Sequence, residues 1–234
     1  MDIRPERGGR ITSLRFRGEE LLDQGIGVDQ PTAEGFVEGG AWGWDEMVPT
    51  VEATGSLPDH GEAWRLPWHA LDKPSDTVTM RCSGHVVPWE LQRTLVLEGN
   101  SVLATYRYEN VGTEPHPAYW CAHPLFRYEP GMEIGVGSTL MSFAEGKSGK
   151  FFMPRGEIDR ARLSWRGGVT IELSWDPKIT PYCGVWICNG DLGGYRQVAI
   201  EPATGGGDRP DSDEPPPTLH PGESLNWWLK IRAL

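Results

Sequence analysis

An all-β antiparallel sandwich with very little helix is the fold this sequence predicts, on three observations. Apolar and polar side chains alternate with period two through several runs, most cleanly from Trp89 to Leu97. Gly- and Asn-containing turns separate those runs at hairpin spacing. Thirty glycines and twenty prolines leave little room for long helices. A length of 234 residues suits one large domain, so residues 1–234 are expected to form a single sandwich.

In chain order, Ile11–Phe16 alternates and turns at Arg17-Gly18-Glu19-Glu20 into Leu21-Leu22, an opening hairpin. Asp23–Glu38 has no period and reads as loop. Gly39–Pro49, with Trp42 and Trp44, is too rich in Gly and Trp for a regular strand interior, and is expected to cross a sheet face irregularly. Val78, Met80 and Cys82 begin a clean meander. Trp89–Leu97 follows, then a Glu98-Gly99-Asn100 turn, then Val102, Ala104, Tyr106 and Tyr108 on one face. Ala118–Phe126 is the next strand. Leu163–Trp165 and Val169–Trp175 flank an Arg166-Gly167-Gly168 turn, while Glu157–Leu163 offers at most a helical turn or two. Tyr182–Cys188, Gln197–Glu201 and Leu225–Ala233 complete about a dozen strands. Gly205–Pro217 is expected to be a flexible acidic loop.

Composition narrows the function classes. With 38% hydrophobic and 24% charged residues the chain is an ordinary globular one. A net charge of −11 argues against nucleic acid and anionic membranes as partners, since both require a basic footprint. No apolar run approaches a membrane span and Met1-Asp2-Ile3-Arg4-Pro5 begins no signal peptide, so a cytoplasmic protein is expected. Cys82, Cys121, Cys183 and Cys188 show no zinc or redox spacing and read as buried free thiols. Eleven tryptophans serve either a β core or the stacking of sugar rings.

Most common catalytic signatures are missing. No G-x-S-x-G elbow or H-E-x-x-H pair occurs, and Gly146-Lys147-Ser148 lacks the upstream glycine of a phosphate loop. Asp208, Asp211, Asp213 and Glu214 follow no cation-loop spacing and read as a solvated acidic loop. Three groups stand out. His60 lies between Asp59 and Gly61, where a missing side chain permits close backbone approach. His123 lies in an aromatic and apolar strand. Glu201 shares a strand face with Ala199, opposite to Val198 and Ile200, and precedes Pro202.

The contexts of these three resemble one family. His60-Gly61-Glu62-Ala63-Trp64-Arg65-Leu66-Pro67-Trp68 resembles the histidine-glycine segment of aldose 1-epimerases and hexose-phosphate mutarotases. Trp120–Phe126 looks like their second histidine motif, of H-P-x-F type, and Ala199–Gly205 is similar to the strand that brings their glutamate. Gly9–Leu14 and Leu219–Ser224 resemble the opening and closing hairpins. The resemblance implies the galactose-mutarotase-like β-supersandwich. It implies His123 as general acid on the ring oxygen, Glu201 as general base on the anomeric hydroxyl, and His60 as a helper near the ring oxygen.

Opening a cyclic hemiacetal needs one proton removed at the C1 hydroxyl and one supplied to the ring oxygen, so a carboxylate and an imidazolium on opposite sides of the ring suffice. Burial is expected to raise the glutamate pKa, and the carboxylate to favour a charged imidazole. No metal or organic cofactor is required. The Asn-Arg pair that many members place before the first histidine has no counterpart here; Gly43–Met47 stands in its place. Arg65, Asp45 and Glu62 are therefore the expected contacts to sugar hydroxyls, and Trp44 and Trp120 the expected indole contacts.

The expected partner is a small sugar, with the acidic charge weighing mildly against a phosphorylated one, acting on a monomer or homodimer. Three readings follow: a sugar mutarotase, a non-catalytic sugar-binding or sensing homologue, and a glycoside-cleaving or lyase enzyme using Glu62 and Glu201.

Overall fold

The computed structural model describes every residue except 28, 31, 33, 34, 73–75 and 143. Strict alternation becomes a meander of Thr77–Ser83, Trp89–Glu98 and Ser101–Asn110, with Leu91 opposite Tyr108 and Leu95 opposite Ala104. Gly99, at φ 58°, makes the turn that joins the two long strands. Ser224–Ala233 pairs with Ser101–Asn110, and Thr170–Trp175 and Arg160–Ser164 extend the sheet beyond it. Among the described residues this sheet has nine strands, with Thr139–Met141 at one edge and His69–Asp72 at the other.

A second sheet, of seven strands among the described residues, runs Asp2–Arg4, Arg10–Ser13, Gly43–Met47, Cys121–Arg127, Arg196–Ala203, Tyr182–Asn189 and Ser148–Met153. Strand pairing is antiparallel throughout both sheets. Facing apolar rows, such as Leu91, Leu95, Leu229 and Ile231 from one sheet and Ile11, Val185, Val198 and Ile200 from the other, form the main core between the layers. A smaller cluster, including Phe36, Val51, Leu125 and Ala199, lies on the opposite face of the seven-stranded sheet. There the segments before and after Gly43–Met47 cover the strands. The described residues contain no helix, and so none long and apolar enough to cross a membrane.

Two expectations fail for identifiable reasons. Gly43–Met47 is a strand with neighbours on both sides rather than a crossing of the sheet face, although Gly43 keeps φ 75°. All five of its residues are buried, and a strand covered on both faces shows no alternation. Glu157–Leu163 forms no helical turn; Arg160–Ser164 instead pairs along Thr170–Trp175, where Ala161 and Leu163 reach the core.

One polar knot sits among the apolar rows. Glu46, fully buried, accepts hydrogen bonds from Arg93 Nη1 at 2.8 Å, Trp120 Nε1 at 2.8 Å and the Tyr106 hydroxyl at 3.0 Å. Arg93 also donates to the Gly9 carbonyl, tying the two sheets and the N-terminal turn together. Truncating one partner leaves a charge without compensation. Arg93→Met is therefore expected to cost about 3–5 kcal/mol of stability, read as a shift in the urea unfolding midpoint.

Candidate functional site

The outer face of the seven-stranded sheet carries a cavity of about 310 Å³ lined by His60, His123 and Glu201. Alternation explains two of the three. Val198 and Ile200 enter the main core, so Ala199 and Glu201 face outward. On the adjacent strand Ala122 and Phe126 point inward, so His123 and Leu125 face outward beside them.

His60 comes from a turn. Its φ of 56° lies in the left-handed region, sparsely occupied by residues other than glycine, and its N–H donates to the Val51 carbonyl at 2.6 Å. Gly61 follows at φ 68°, and a Cβ there would fall 2.2 Å from the Val48 carbonyl oxygen. Close backbone approach is thus what the glycine permits. Gly61→Ala is expected to destabilise the protein by about 2 kcal/mol or more, in urea unfolding, and to displace the His60 ring.

The ring of His60 stacks on Phe36 at 4.5 Å and meets His123 edge-on at 5.5 Å. Its Nδ1 lies 3.0 Å from Asp59 Oδ1, while Asp59 Oδ2 accepts the Phe36 N–H at 2.8 Å. Burial works to raise the Asp59 carboxyl. The hydrogen bond and charge of His60, the Phe36 N–H and nearby Arg65 outweigh it, leaving Asp59 below its ordinary value. The stacked Phe36 ring and the Asp59 carboxylate beside Nδ1 are the groups that set how this imidazole lies.

His123 Nε2 and Glu201 Oε1 are 3.5 Å apart, longer than a normal hydrogen bond. They are neighbours on the cavity floor, not groups flanking a ring. Burial pushes the Glu201 carboxyl above the ordinary carboxylate range, as expected, with the Lys150 ammonium pulling it back. For His123 the expectation fails. Burial, reinforced by the charges of His60, Lys150 and Arg10, holds the imidazole well below its ordinary value, so it is neutral at rest.

Two groups that sequence reasoning missed complete the floor. Lys150 Nζ sits 2.6 Å from Glu201 Oε2 and 2.5 Å from Asp208 Oδ1. Burial would depress this ammonium, but the two carboxylates outweigh it and hold Lys150 above the ordinary lysine value. It is a fixed cation, unsuited to nucleophilic amine chemistry. Asp208 is not loosely solvated. Its carbonyl accepts the N–H groups of Val51 and Glu52 at 2.9 Å and the Thr50 hydroxyl at 3.1 Å, strapping the acidic loop onto the segment before His60.

The five expected sugar contacts lie outside the cavity lining. Trp44 is buried in the core between the sheets, and Trp120 is held there by its bond to Glu46. Asp45 is the strand partner of His123, but Arg10 takes its carboxylate, with Nη2 to Oδ2 at 2.7 Å. Glu62 accepts the backbone N–H groups of His85 and Val86 at 3.1–3.2 Å. The Arg65 guanidinium lies over the Trp64 ring at 5.4 Å. Polar type near a motif does not separate substrate contacts from groups that satisfy the backbone. Pairing Glu62 with Glu201 for glycoside cleavage loses its geometric basis, because Glu201 lines the cavity and Glu62 does not.

The four cysteines are buried and free, and among the described residues no group of three His, Cys, Asp or Glu side chains is placed to hold a metal ion.

The two packed antiparallel sheets have the architecture of solved galactose-mutarotase-like structures. A protein from Escherichia coli K12 provisionally assigned as an aldose 1-epimerase superposes with a TM-score of 0.82 at 16% identity, covering 100% of this chain and 94% of that one. A galactose mutarotase-like protein from Lactobacillus casei gives 0.74 at 16% identity over 98% and 95% of the two chains. Another from Clostridium acetobutylicum gives 0.70 at 13% identity over 99% and 91%. No family model and no curated protein matches the sequence.

Proposed function

We propose that this protein is a cofactor-independent mutarotase that interconverts the α and β anomers of a sugar. The observation that carries the reading is the convergence of His60, His123 and Glu201 in one cavity, from three separate parts of the chain. In this reading Glu201 Oε1 takes the proton of the C1 hydroxyl while His123 Nε2–H supplies one to the ring oxygen. The C1–O bond of the ring breaks and the open aldehyde turns about C1–C2. On closure the two protons return to their donors. Both reacting oxygens are bonded to C1, so an acid and a base standing side by side can serve them. The productive form, imidazolium beside carboxylate, is a minority at rest that the charge developing on the ring oxygen draws out. His60, oriented by Asp59 and Phe36, positions the ring-oxygen side of the sugar.

Anomer exchange measured by NMR on a panel of aldoses and their phosphates tests this. Exchange above the uncatalysed rate for at least one sugar is expected. No excess rate with any of them, alongside saturable binding, would leave the binding-only reading in possession. One observation favours that second reading: Glu201 Oε2 is already engaged by Lys150, which lowers the basicity of the carboxylate. The cytoplasmic, cofactor-free setting is part of the same proposal.

A further inference from the structure

The cavity is chemically lopsided. Glu201 has Lys150 and Asp208 on one side of it. Beside Glu201, His123 has on its far side Phe36, whose ring meets it edge-on at 5.3 Å, and along its own strand face Leu125, two residues on. His60, stacked against Phe36, is one polar group there; Tyr195 and Gln197 also line the cavity, the Gln197 amide donating to Asp23 and to the Ala41 carbonyl. Val37 and Leu192 line the cavity yet stay 45% and 43% exposed, which makes its outer part apolar as well.

Charge is lopsided too. Glu52, Asp59, Glu201 and Asp208 line the cavity, and among the described lining residues Lys150 is the one basic side chain besides the two histidines. Both carboxylates within reach of that ammonium are already in contact with it.

Resting on the mutarotase reading, which puts His123 on the ring oxygen and Glu201 on the C1 hydroxyl, we infer that the preferred substrate is an unphosphorylated 6-deoxyhexose. The ring oxygen is bonded to C5, so the group on C5 is placed on the His123 side, against Phe36 and Leu125. A methyl group there buries apolar surface, whereas a hydroxymethyl group sets its hydroxyl against the Phe36 and Leu125 carbons. A phosphate dianion would enter among four carboxylates and find its one cation committed. The cavity, about 310 Å³, is at the small end of ligand sites and suits one sugar ring.

The test uses matched sets of one configuration: galactose, 6-deoxygalactose and galactose 6-phosphate, with the glucose series alongside. Within a series, kcat/KM for the 6-deoxy sugar is expected to exceed the parent hexose by roughly 10-fold or more. The phosphate is expected at least about 100-fold below the parent. A parent that matches or beats its 6-deoxy partner in both series overturns the inference, as does a phosphate turned over as well as its parent. The 1,5-anhydro analogues of the same sugars cannot exchange anomers, so their dissociation constants report the pocket apart from the chemistry. The same ranking among them without turnover of the sugars would retain the ligand class and sink the mutarotase. No binding by any analogue removes the ligand class itself.

Discussion

Glu201→Gln is expected to lower kcat/KM for anomer exchange by about 10²–10⁴-fold while sugar affinity changes by no more than about threefold. The amide keeps the size of the carboxylate and an oxygen that can accept from Lys150, which still has Asp208 at 2.5 Å. What it loses is the ability to take a proton from the C1 hydroxyl. Exchange spectroscopy gives the rate and a titration with a 1,5-anhydro sugar gives the affinity. A rate equal to wild type would remove Glu201 from the chemistry, while a collapse of affinity would make it a binding group.

Lys150→Met is expected to move the acid limb of the kcat/KM profile to higher pH. Burial raises the Glu201 carboxyl, and the Lys150 ammonium, 2.6 Å away, opposes it. Removing the cation removes the opposing effect, so the carboxyl holds its proton to higher pH and less of it is base at any pH on that limb. Asp208 raises it as well, while His60 lowers it. The loss should be at least about tenfold on the acid side and should shrink as pH rises. Lys150→Arg keeps a cation and should shift the limb less. If Lys150→Met lowers the rate equally at all pH values, Lys150 acts through packing and not through charge.

The long strands were legible because their physics is local. In Trp89–Glu98 and Ser101–Asn110 one face meets the core and the other meets water, so alternation is written residue by residue. The same rule placed Glu201 opposite Val198 and Ile200. It failed for Gly43–Met47, which is buried on both faces, and for Ser148–Met153, an edge strand with Phe151 and Phe152 exposed and no buried residue. That unreadable strand carries Lys150. Asp208 was equally hidden, because the N–H groups that capture its carbonyl belong to Val51 and Glu52, far back along the chain. The protonation of His123 depended on the same kind of information. An adjacent carboxylate and burial act in opposite directions, and only the depth of the site shows that burial prevails.

By itself, then, the sequence determined a two-layer antiparallel β architecture and three residues worth watching, His60, His123 and Glu201. Alternation, turn chemistry and short motifs all act between near neighbours. The tertiary structure alone decided that these three share a cavity, and that Lys150 and Asp208 back Glu201. It alone decided that Asp45, Glu62, Trp44 and Trp120 serve the scaffold. Whether a carboxylate meets a sugar, an arginine or a backbone N–H depends on which distant segment folds against it, and no local pattern encodes that.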